Sequence, residues 1–181
     1  MPYRDDSAKL AAVRREIAAL RGQMRALQQR IEPEEVEDYR FATVDGTARL
    51  SELFAGREHL FVIHNMGRLC PHCTMWADGI NGVLAHLEAR AAFVVSSPDE
   101  PHTQEALKAA RGWRFRMVSH RGSSFAVDMG YRNENACLPG VSAFRWIGNQ
   151  ILRVSDTGFQ PGDDFCVVWH FLDMLPESAA R

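Results

Sequence analysis

The stretch HLFVIHNMGRLCPHC at residues 59–73 decides the fold of this chain. Its apolar run at 60–63 predicts a buried strand, and the thiols of Cys70 and Cys73 follow that strand, three positions apart. A helix is predicted directly after them, because apolar side chains recur at helical spacing at Trp76, Ile80, Val83, Leu84 and Leu87. The N–H groups and the dipole at a helix N-terminus favour thiolate over thiol, and thiolate is the reactive form. The stretch therefore predicts a reactive dithiol where a strand meets a helix.

Strands and helices continue to alternate on both sides of this stretch. The sequence pattern predicts an acidic linker at 34–38, strands at 39–44, 92–96, 115–118, 141–147 and 151–155, a helix at 101–111 ended by Gly112, and a last helix that Asp163 or Asp164 caps and that carries Phe165, Val168, Trp169, Leu172 and Leu175. The early alternation implies parallel strands, and a hairpin turn at Gly148-Asn149 adds antiparallel edge strands. This order is the thioredoxin arrangement, an α/β fold with a central mixed sheet flanked by helices.

An N-terminal amphipathic helical arm precedes that domain. We expect the arm at 1–33 and the thioredoxin-like domain at 34–181, with the arm's helix starting at an N-cap on Ser7 and stopped by Pro33. Its apolar residues alternate steps of three and four, which is a short heptad seam: Leu10, Val13, Ile17, Leu20, Met24, Leu27 and Ile31. Such a seam fits either an arm packed on its own domain or a two-helix contact in a homodimer, and its narrowness favours the homodimer.

Composition and charge exclude several classes of function. The chain is 46% hydrophobic with a formal net charge of -2, which gives no reason to expect nucleic acid or an anionic membrane as partner. No apolar run reaches the roughly 20 residues of a membrane helix, and the charged N-terminal stretch has no apolar signal region. We therefore expect a cytoplasmic protein. Four cysteines are too few for a disulfide scaffold, so the close pair indicates redox or metal chemistry.

The dithiol has a predicted division of labour. Cys70 is expected to be the exposed nucleophile, and Cys73, one helical turn further on, the shielded thiol that resolves the mixed disulfide. Pro71 lacks an N–H and suits the first helical turn. His72 can place a donor or a positive charge beside the Cys70 thiolate. The same four residues occur in a strongly oxidising thioredoxin-fold protein of the bacterial periplasm, so we expect a disulfide more oxidising than that of thioredoxin.

A substrate groove is predicted beside the dithiol. Thioredoxin folds carry a cis-proline just before the strand that faces the redox cysteines, and Leu138-Pro139 occupies that position before the strand at 141–147. A cis bond would leave neighbouring backbone groups free to pair with an extended substrate. The alternative is a trans proline at a strand start. We expect Leu138, Pro139 and Trp76 to line the groove.

Other side chains are candidates for accessory roles. Cys137 is either a third participating thiol or an apolar filler, and we interpret it as filler, as we do Cys166 in the core. Asp78 either assists proton transfer from Cys73 or is a surface charge on the helix; we interpret it as a surface charge. His64, Cys70, His72 and Cys73 offer zinc ligand types, but the chain has no second CxxC or HxxxH pair, so no metal is expected. Nothing matches a P-loop or dinucleotide fingerprint, and no cofactor is expected.

From residue 61 to residue 176 the chain resembles a bacterial group of thioredoxin-like proteins, domain-of-unknown-function family 899. The matching pieces occur in family order: CPHCTMWADGINGVLAHLEAR at 70–90, SSP at 96–98, RGWRF at 111–115, SSFAVDMGYR at 123–132, LPGVSAFRW at 138–146 and VWHFLDMLP at 168–176. The N-terminal helical arm is also similar to the family's pattern. The resemblance implies a thioredoxin fold of the peroxiredoxin-like branch, and it implies no settled substrate.

Three functions are compatible with the dithiol. The leading hypothesis is a thiol–disulfide oxidoreductase acting on a protein or small-molecule disulfide or thiol. The second is a non-enzymatic redox sensor or binding module whose CxxC changes what the arm contacts. The third is a thiol peroxidase of unusual motif, because the slots of the usual P-x-x-x-[TS]-x-x-C pattern hold Ile63 and Gly67 before Cys70, and Met66 and Cys70 before Cys73.

Overall fold

The structure is a computed structural model, and it describes residues 2–134 and 136–176. The chain divides into two compact units, Met1–Pro33 and Glu34–Arg181. The first unit holds one long helix, and the second holds a mixed sheet with helices. In the described part of the chain, no helix is both long and apolar enough to cross a membrane.

The helix of the first unit, α1 (Pro2–Gln28), is longer at its start than predicted. It begins at Pro2, not at an N-cap on Ser7, because a proline fits the first turn of a helix, where its missing N–H is not needed. The backbone tightens after Gln28, where Arg30 N–H bonds to Leu27 O at 2.9 Å, before Pro33. All the apolar residues of the predicted seam are exposed, from 40% at Ile17 to 63% at Leu27.

The second unit is built on one sheet, and the described residues contribute eight strands to it: β1 (Glu34–Val36), β2 (Arg40–Thr43), β3 (Gly46–Arg49), β4 (His59–His64), β5 (Ala92–Ser97), β6 (Arg116–Ser119), β7 (Gly140–Ile147) and β8 (Gln150–Gly158). Their order across the sheet is β1-β8-β7-β4-β5-β6-β2-β3. β4, β5 and β6 are parallel, whereas β7 pairs antiparallel with β4, and β8 with β7. The mixed sheet predicted from the sequence is therefore confirmed.

Helices connect and flank these strands: α2 (Leu50–Leu53), α3 (Pro71–Glu88), α4 (Pro101–Arg111), α5 (Phe125–Asp128) and α6 (Val167–Leu172). α3 joins β4 to β5 and α4 joins β5 to β6, which is the βαβ connection that parallel strands need. The predicted end of α4 is confirmed, since Gly112 adopts a left-handed φ of 66°. A residue with a Cβ is strained in that conformation.

Two predicted segments differ from the structure. The acidic linker at 34–38 is in part a strand, because Glu34 and Glu35 occupy an edge strand whose side chains reach water, and Glu34 pairs with Arg153 on β8. The last helix is only six residues long and has Cys166 at its N-cap, with neither Asp163 nor Asp164 capping it. Asp163 instead accepts hydrogen bonds from the backbone N–H groups of Gln160 and Phe165 in the preceding loop.

The core lies on both faces of β4, because successive side chains of a strand point to opposite sides. Leu60 and Val62 pack into one apolar cluster with Phe144, and Ile63 packs into the other with Cys73. Each such side chain contributes about 1.5–3 kcal/mol when fully buried. The second cluster fixes α3 over the carboxyl end of β4, and that placement positions the dithiol.

Candidate functional site

Cys70 is the N-cap residue of α3. Its backbone is extended, at φ −90° and ψ 107°, and its Sγ accepts a hydrogen bond from Cys73 N–H at 3.1 Å. Pro71 takes the first helical position, where its lack of an N–H leaves no donor unpaired. The Cys70 side chain is half-buried. The Cys73 N–H is one of the N-terminal donors that the helix itself leaves unpaired, and Cys70 Sγ satisfies it.

Cys73 lies behind Cys70 and is only 3% exposed. Burial raises the pKa of the Cys73 thiol to about 12, and the hydrogen bond to Cys70 acts in the same direction. The backbone N–H of Met66 opposes both effects, because it donates to Cys73 Sγ at 3.5 Å. The Cys73 N–H donates to Cys70 Sγ at 3.1 Å, which holds the two residues side by side. One half-exposed thiol and one shielded thiol are therefore adjacent, in the arrangement expected from the sequence.

His72 is exposed and lies against two tryptophan rings. Its ring meets Trp169 edge-on at a centroid distance of 5.7 Å and Trp76 at 6.2 Å. In the described part of the chain, no hydrogen bond joins His72 to Cys70. A cavity of about 360 Å³ opens beside the ring, lined by His72, Pro161, Gly162, Trp169, Leu172 and Asp173. The cavity therefore adjoins His72 of the CPHC motif, and Trp169 and Leu172 of α6 contribute apolar walls to it.

Trp76 does not lie at the surface, where the expected role in binding substrate would place it. Trp76 is only 3% exposed, its Nε1–H donates to Asp163 Oδ1 at 3.2 Å, and its ring packs on Phe159 at 5.3 Å. A tryptophan on the inner face of α3 contributes more apolar burial there than it would at the surface. The Trp76 ring therefore packs against His72, and Trp169, not Trp76, lines the cavity.

The expected cis bond before Pro139 is wrong, because the described residues contain no cis peptide bond. Pro139 leads into β7 as a trans proline, with its C=O accepting from Phe159 N–H at 2.9 Å. The N–H of Leu138 is also occupied, since it donates to Tyr131 O at 2.8 Å. A trans proline is compatible with this start of β7, because the Leu138 N–H and the Pro139 C=O both bond to neighbouring segments. Leu138 therefore offers a substrate its side chain, which is 42% exposed.

Asp78 is hydrogen-bonded to Arg111 and Trp113. Arg111 forms an ion pair with it, and Trp113 Nε1–H donates to its Oδ1 at 2.8 Å. Burial alone raises the pKa of Asp78, but these two hydrogen-bond donors outweigh burial and lower it. The carboxylate is thus an exposed, charged partner of Arg111 on the outer face of α3, as interpreted from the sequence.

A layer of buried polar residues lies at the carboxyl ends of the strands near the dithiol. His64 Nε2 and Ser142 Oγ are 2.9 Å apart, and His120 Nδ1 and Ser96 Oγ are 3.0 Å apart. His120 also reaches Cys137, which is half-buried. The sequence places His120 beside Arg121 in a local basic patch and gives no sign of its contact with Cys137. Its position directly after a parallel strand is the signal that indicates it, because side chains there meet at one edge of the sheet.

The His and Cys residues considered as zinc ligands form no metal site in the described part of the chain. Within residues 2–134 and 136–176, no group of three or more His, Cys, Asp or Glu side chains is arranged to hold a metal ion. Cys166 is buried in the core cluster, as interpreted from the sequence.

The fold is similar to solved peroxiredoxins. Reduced Prx3 from Vibrio vulnificus, in complex with hydrogen peroxide, superposes with a TM-score of 0.60 at 15% identity, over 74% of this chain and 90% of that one. A cysteine-to-serine mutant of PrxQ from Xylella fastidiosa gives 0.57 at 15% identity, over 78% and 94%. Peroxidoxin BcpB from Mycobacterium tuberculosis gives 0.53 at 17% identity, over 80% and 97%. At these identities the likeness shows the thioredoxin-like fold alone.

Sequence comparison identifies the family. No curated protein matches the chain. The model of one family, described as bacterial protein of unknown function (DUF899), matches residues 3–180. The match spans both the helical arm and the sheet with its CPHC dithiol, so the chain belongs to the bacterial DUF899 family and has its thioredoxin-like fold.

Proposed function

We propose that this protein is a thiol–disulfide oxidoreductase in which Cys70 attacks and Cys73 resolves. The observation that carries the proposal is the pairing of the two thiols at the start of α3. Cys70 is half-buried and accepts the Cys73 N–H at 3.1 Å, whereas Cys73 is 3% exposed with a pKa raised by burial to about 12. Only one of the two sulfurs is therefore both accessible and hydrogen-bonded to a backbone N–H at the helix N-terminus.

The reaction follows from that asymmetry. The Cys70 thiolate attacks one sulfur of a substrate disulfide, that S–S bond breaks, and the other substrate sulfur leaves as a thiolate. Cys73 then loses its proton and attacks Cys70 Sγ, and the second substrate sulfur leaves. The substrate gains two electrons and two protons as a dithiol, while the protein loses the same and holds a Cys70–Cys73 disulfide. Oxidation of a substrate dithiol is the reverse sequence.

The surface around Cys70 favours a disulfide flanked by apolar groups. Leu69, next to the nucleophile, is 84% exposed, and Leu138 is 42% exposed. The cavity beside His72 is walled by Trp169 and Leu172. Apolar side chains on either side of a cystine gain free energy by covering such surface, at about 25 cal/mol per Å². A peptide or protein disulfide meets that description better than a small charged one does.

Turnover of a protein disulfide tests the proposal. Reduced protein should accelerate the reduction of insulin by dithiothreitol, and Cys70→Ser should abolish that acceleration. Cys73→Ser should accumulate a mixed disulfide through Cys70, because the resolving thiol is gone. Cys166→Ser is the matched control, because it makes the same substitution at a buried cysteine outside the CPHC motif. Undiminished turnover in Cys70→Ser would refute the proposal.

Thiol peroxidase activity is the second candidate, and the solved peroxiredoxins of similar fold favour it. In that reaction Cys70 thiolate attacks a hydroperoxide, the O–O bond breaks, and a sulfenic acid and an alcohol or water form. Cys73 would then condense with the sulfenic acid, releasing water. Thiol-dependent loss of hydroperoxide that requires Cys70, without insulin reduction, would favour this reaction over disulfide exchange.

A further inference from the structure

The loop that joins β4 to α3, residues 65–70, carries Cys70 at its end. It begins with Asn65, whose N–H donates to Ser96 O on β5 at 2.9 Å and whose Oδ1 accepts the Gly67 N–H at 2.8 Å. The Cys70 N–H in turn donates to Gly67 O at 3.1 Å. The backbone of the nucleophile is therefore bonded to Gly67, and its position depends on where Gly67 is held.

The segment after β5 holds this loop at Gly67 and Arg68. Asp99 Oδ2 accepts the backbone N–H of Arg68 at 2.8 Å. A Cβ added at Gly67 would lie 3.2 Å from Asp99 Oδ2 and 3.4 Å from the Cγ of Pro98, so the two segments are closely packed there. Gly67 also has a φ of 100°, which a residue with a Cβ rarely adopts. Both the backbone conformation and the close approach of Asp99 therefore require glycine.

Asp99 is itself fixed by buried polar residues. Its N–H donates to Ser97 Oγ at 3.3 Å, and Ser97 Oγ donates to Asp99 Oδ2 at 3.4 Å. Gln104 Nε2 donates both to Ser97 Oγ at 2.8 Å and to Val118 O on β6 at 2.9 Å. Ser97 is fully buried and Gln104 is 2% exposed, so water does not compete for these bonds. A continuous chain of hydrogen bonds thus runs from β6 through Asp99 to the loop that carries the nucleophile.

This chain of bonds gives a use to the SSPD stretch at 96–99, which the exchange reaction itself does not involve. Asp99 directly precedes α4, where a carboxylate would ordinarily accept the unpaired N–H groups of the helix. The N-cap of α4 is instead Glu100, without a side-chain capping bond, and the donors to Asp99 Oδ2 are Arg68 and Ser97, both outside α4. The Asp99 carboxylate is therefore directed at the loop and not at its own helix.

We propose that Asp99 is a positioning residue, which holds the loop so that Cys73 can close on Cys70. The inference rests on the proposed oxidoreductase function. In the closing step Cys73 attacks Cys70 Sγ, the bond from Cys70 to the substrate sulfur breaks, and the substrate leaves as a thiolate that takes up the proton Cys73 has lost. This step is intramolecular, so its rate depends on how precisely the two sulfurs are aligned. The first attack of Cys70 on an external disulfide needs no such alignment, and Asp99 therefore acts on closure more than on attack.

Rapid-quench mass spectrometry separates attack from closure. Reduced protein is mixed with oxidised glutathione, quenched with acid at successive times, alkylated and digested with trypsin. Arginines bound peptide 69–90, which holds both Cys70 and Cys73, and its mass distinguishes the glutathione adduct from the closed disulfide. Asp99→Ala should slow closure at least about tenfold while changing the rate of glutathione addition less than about twofold. The adduct on Cys70 should therefore accumulate in this variant.

Two variants show whether the hydrogen bond is the cause. Asp99→Asn keeps an acceptor for the Arg68 N–H and loses only the charge, so closure should stay within about threefold of the wild-type rate. Glu100→Ala is the matched control, because it removes the neighbouring carboxylate, which pairs with Arg121 and not with the loop. Closure in Glu100→Ala should proceed at the wild-type rate.

A second pair of variants tests the same contact from the loop. Gly67→Ala should slow closure as Asp99→Ala does, because its Cβ would push against Asp99. Gly46→Ala introduces the same kind of left-handed strain, at a φ of 127°, where a Cβ meets nothing within 4 Å. Gly46→Ala should therefore lower the stability of the protein and leave the rate of closure unchanged.

The outcomes distinguish this inference from its foundation. Closure at the wild-type rate in Asp99→Ala or in Gly67→Ala overturns the role of Asp99. Asp99→Asn as slow as Asp99→Ala overturns it too, because the effect would then follow the charge, and an equal loss of attack and closure would mean a general loss of folded protein. Wild-type peptide 69–90 that never closes to the disulfide overturns the proposed function itself.

Discussion

The resolving step should depend steeply on pH, because Cys73 must ionise before it attacks. Its pKa is raised to about 12, so at about pH 7 roughly one molecule in 10⁵ carries the Cys73 thiolate. Forming a mixed disulfide engages Cys70 and removes the contribution of that sulfur, but the burial of Cys73 remains. We therefore expect the rate of resolution to rise about tenfold for each pH unit between about pH 6 and about pH 9.

A coloured leaving thiolate makes both steps visible in one experiment. An aromatic disulfide releases one thiolate when Cys70 attacks it and a second when Cys73 resolves the mixed disulfide. The reaction is followed by stopped-flow absorbance in a Cys137→Ser background, so that no third thiol contributes. The first phase reports on Cys70, and the second phase should carry the tenfold dependence on pH.

Two results would refute this reasoning. A second phase whose rate is the same at about pH 6 and about pH 9 would mean that Cys73 is already ionised, which its burial opposes. A second phase that persists in Cys73→Ser would mean that another group releases the second thiolate. Cys166→Ser should retain both phases with unchanged rates.

Three further predictions concern separate parts of the molecule. Gly140→Ala should lower the free energy of unfolding by about 3 kcal/mol in a denaturant titration, because a Cβ there would overlap a tyrosine ring and a carbonyl of β8, whereas Gly158→Ala, with nearest contact at 3.8 Å, should cost far less. Equal losses would contradict this packing. His72→Gly should make the disulfide more reducing by on the order of 30 mV against glutathione, and no shift would remove His72 from thiol tuning. We expect α1 to form a homodimer, which Leu20→Asp should dissociate in sedimentation experiments while Ala19→Asp leaves it intact; a wild-type monomer contradicts the expectation.

Local patterns were sufficient to predict the elements that surround the dithiol. The strand at 59–64 and the helix after Cys70 have clear apolar periodicity, and Gly112 marks the end of α4. Where burial is partial, the pattern is weaker. β1 was not predicted because its glutamates look like a linker and become a strand only by pairing with β8. The last helix is short because the loop before it turns around Asp163.

The parts of the site that could not be predicted depend on contacts between distant segments. The peptide bond before Pro139 is trans. The Leu138 N–H bonds to Tyr131 and the Pro139 C=O to Phe159, and the sequence around Pro139 does not indicate these partners. The contact of Cys137 with His120 likewise exists only because β6 and β7 deliver both residues to one edge of the sheet. Sequence spacing indicates which residues can take part in the chemistry, whereas the topology of the sheet determines which of them are in contact.

The central claim is that Cys70 and Cys73 form a reversible disulfide. A redox titration tests that claim directly. The protein is equilibrated in buffers with different ratios of reduced to oxidised glutathione and alkylated, and peptide 69–90 is then analysed by mass spectrometry. We predict a single two-electron transition within that peptide, with a midpoint more oxidising than the roughly −270 mV of thioredoxin. A peptide that stays fully alkylated at every ratio, or that carries glutathione on Cys70 without ever closing to the disulfide, would contradict the account.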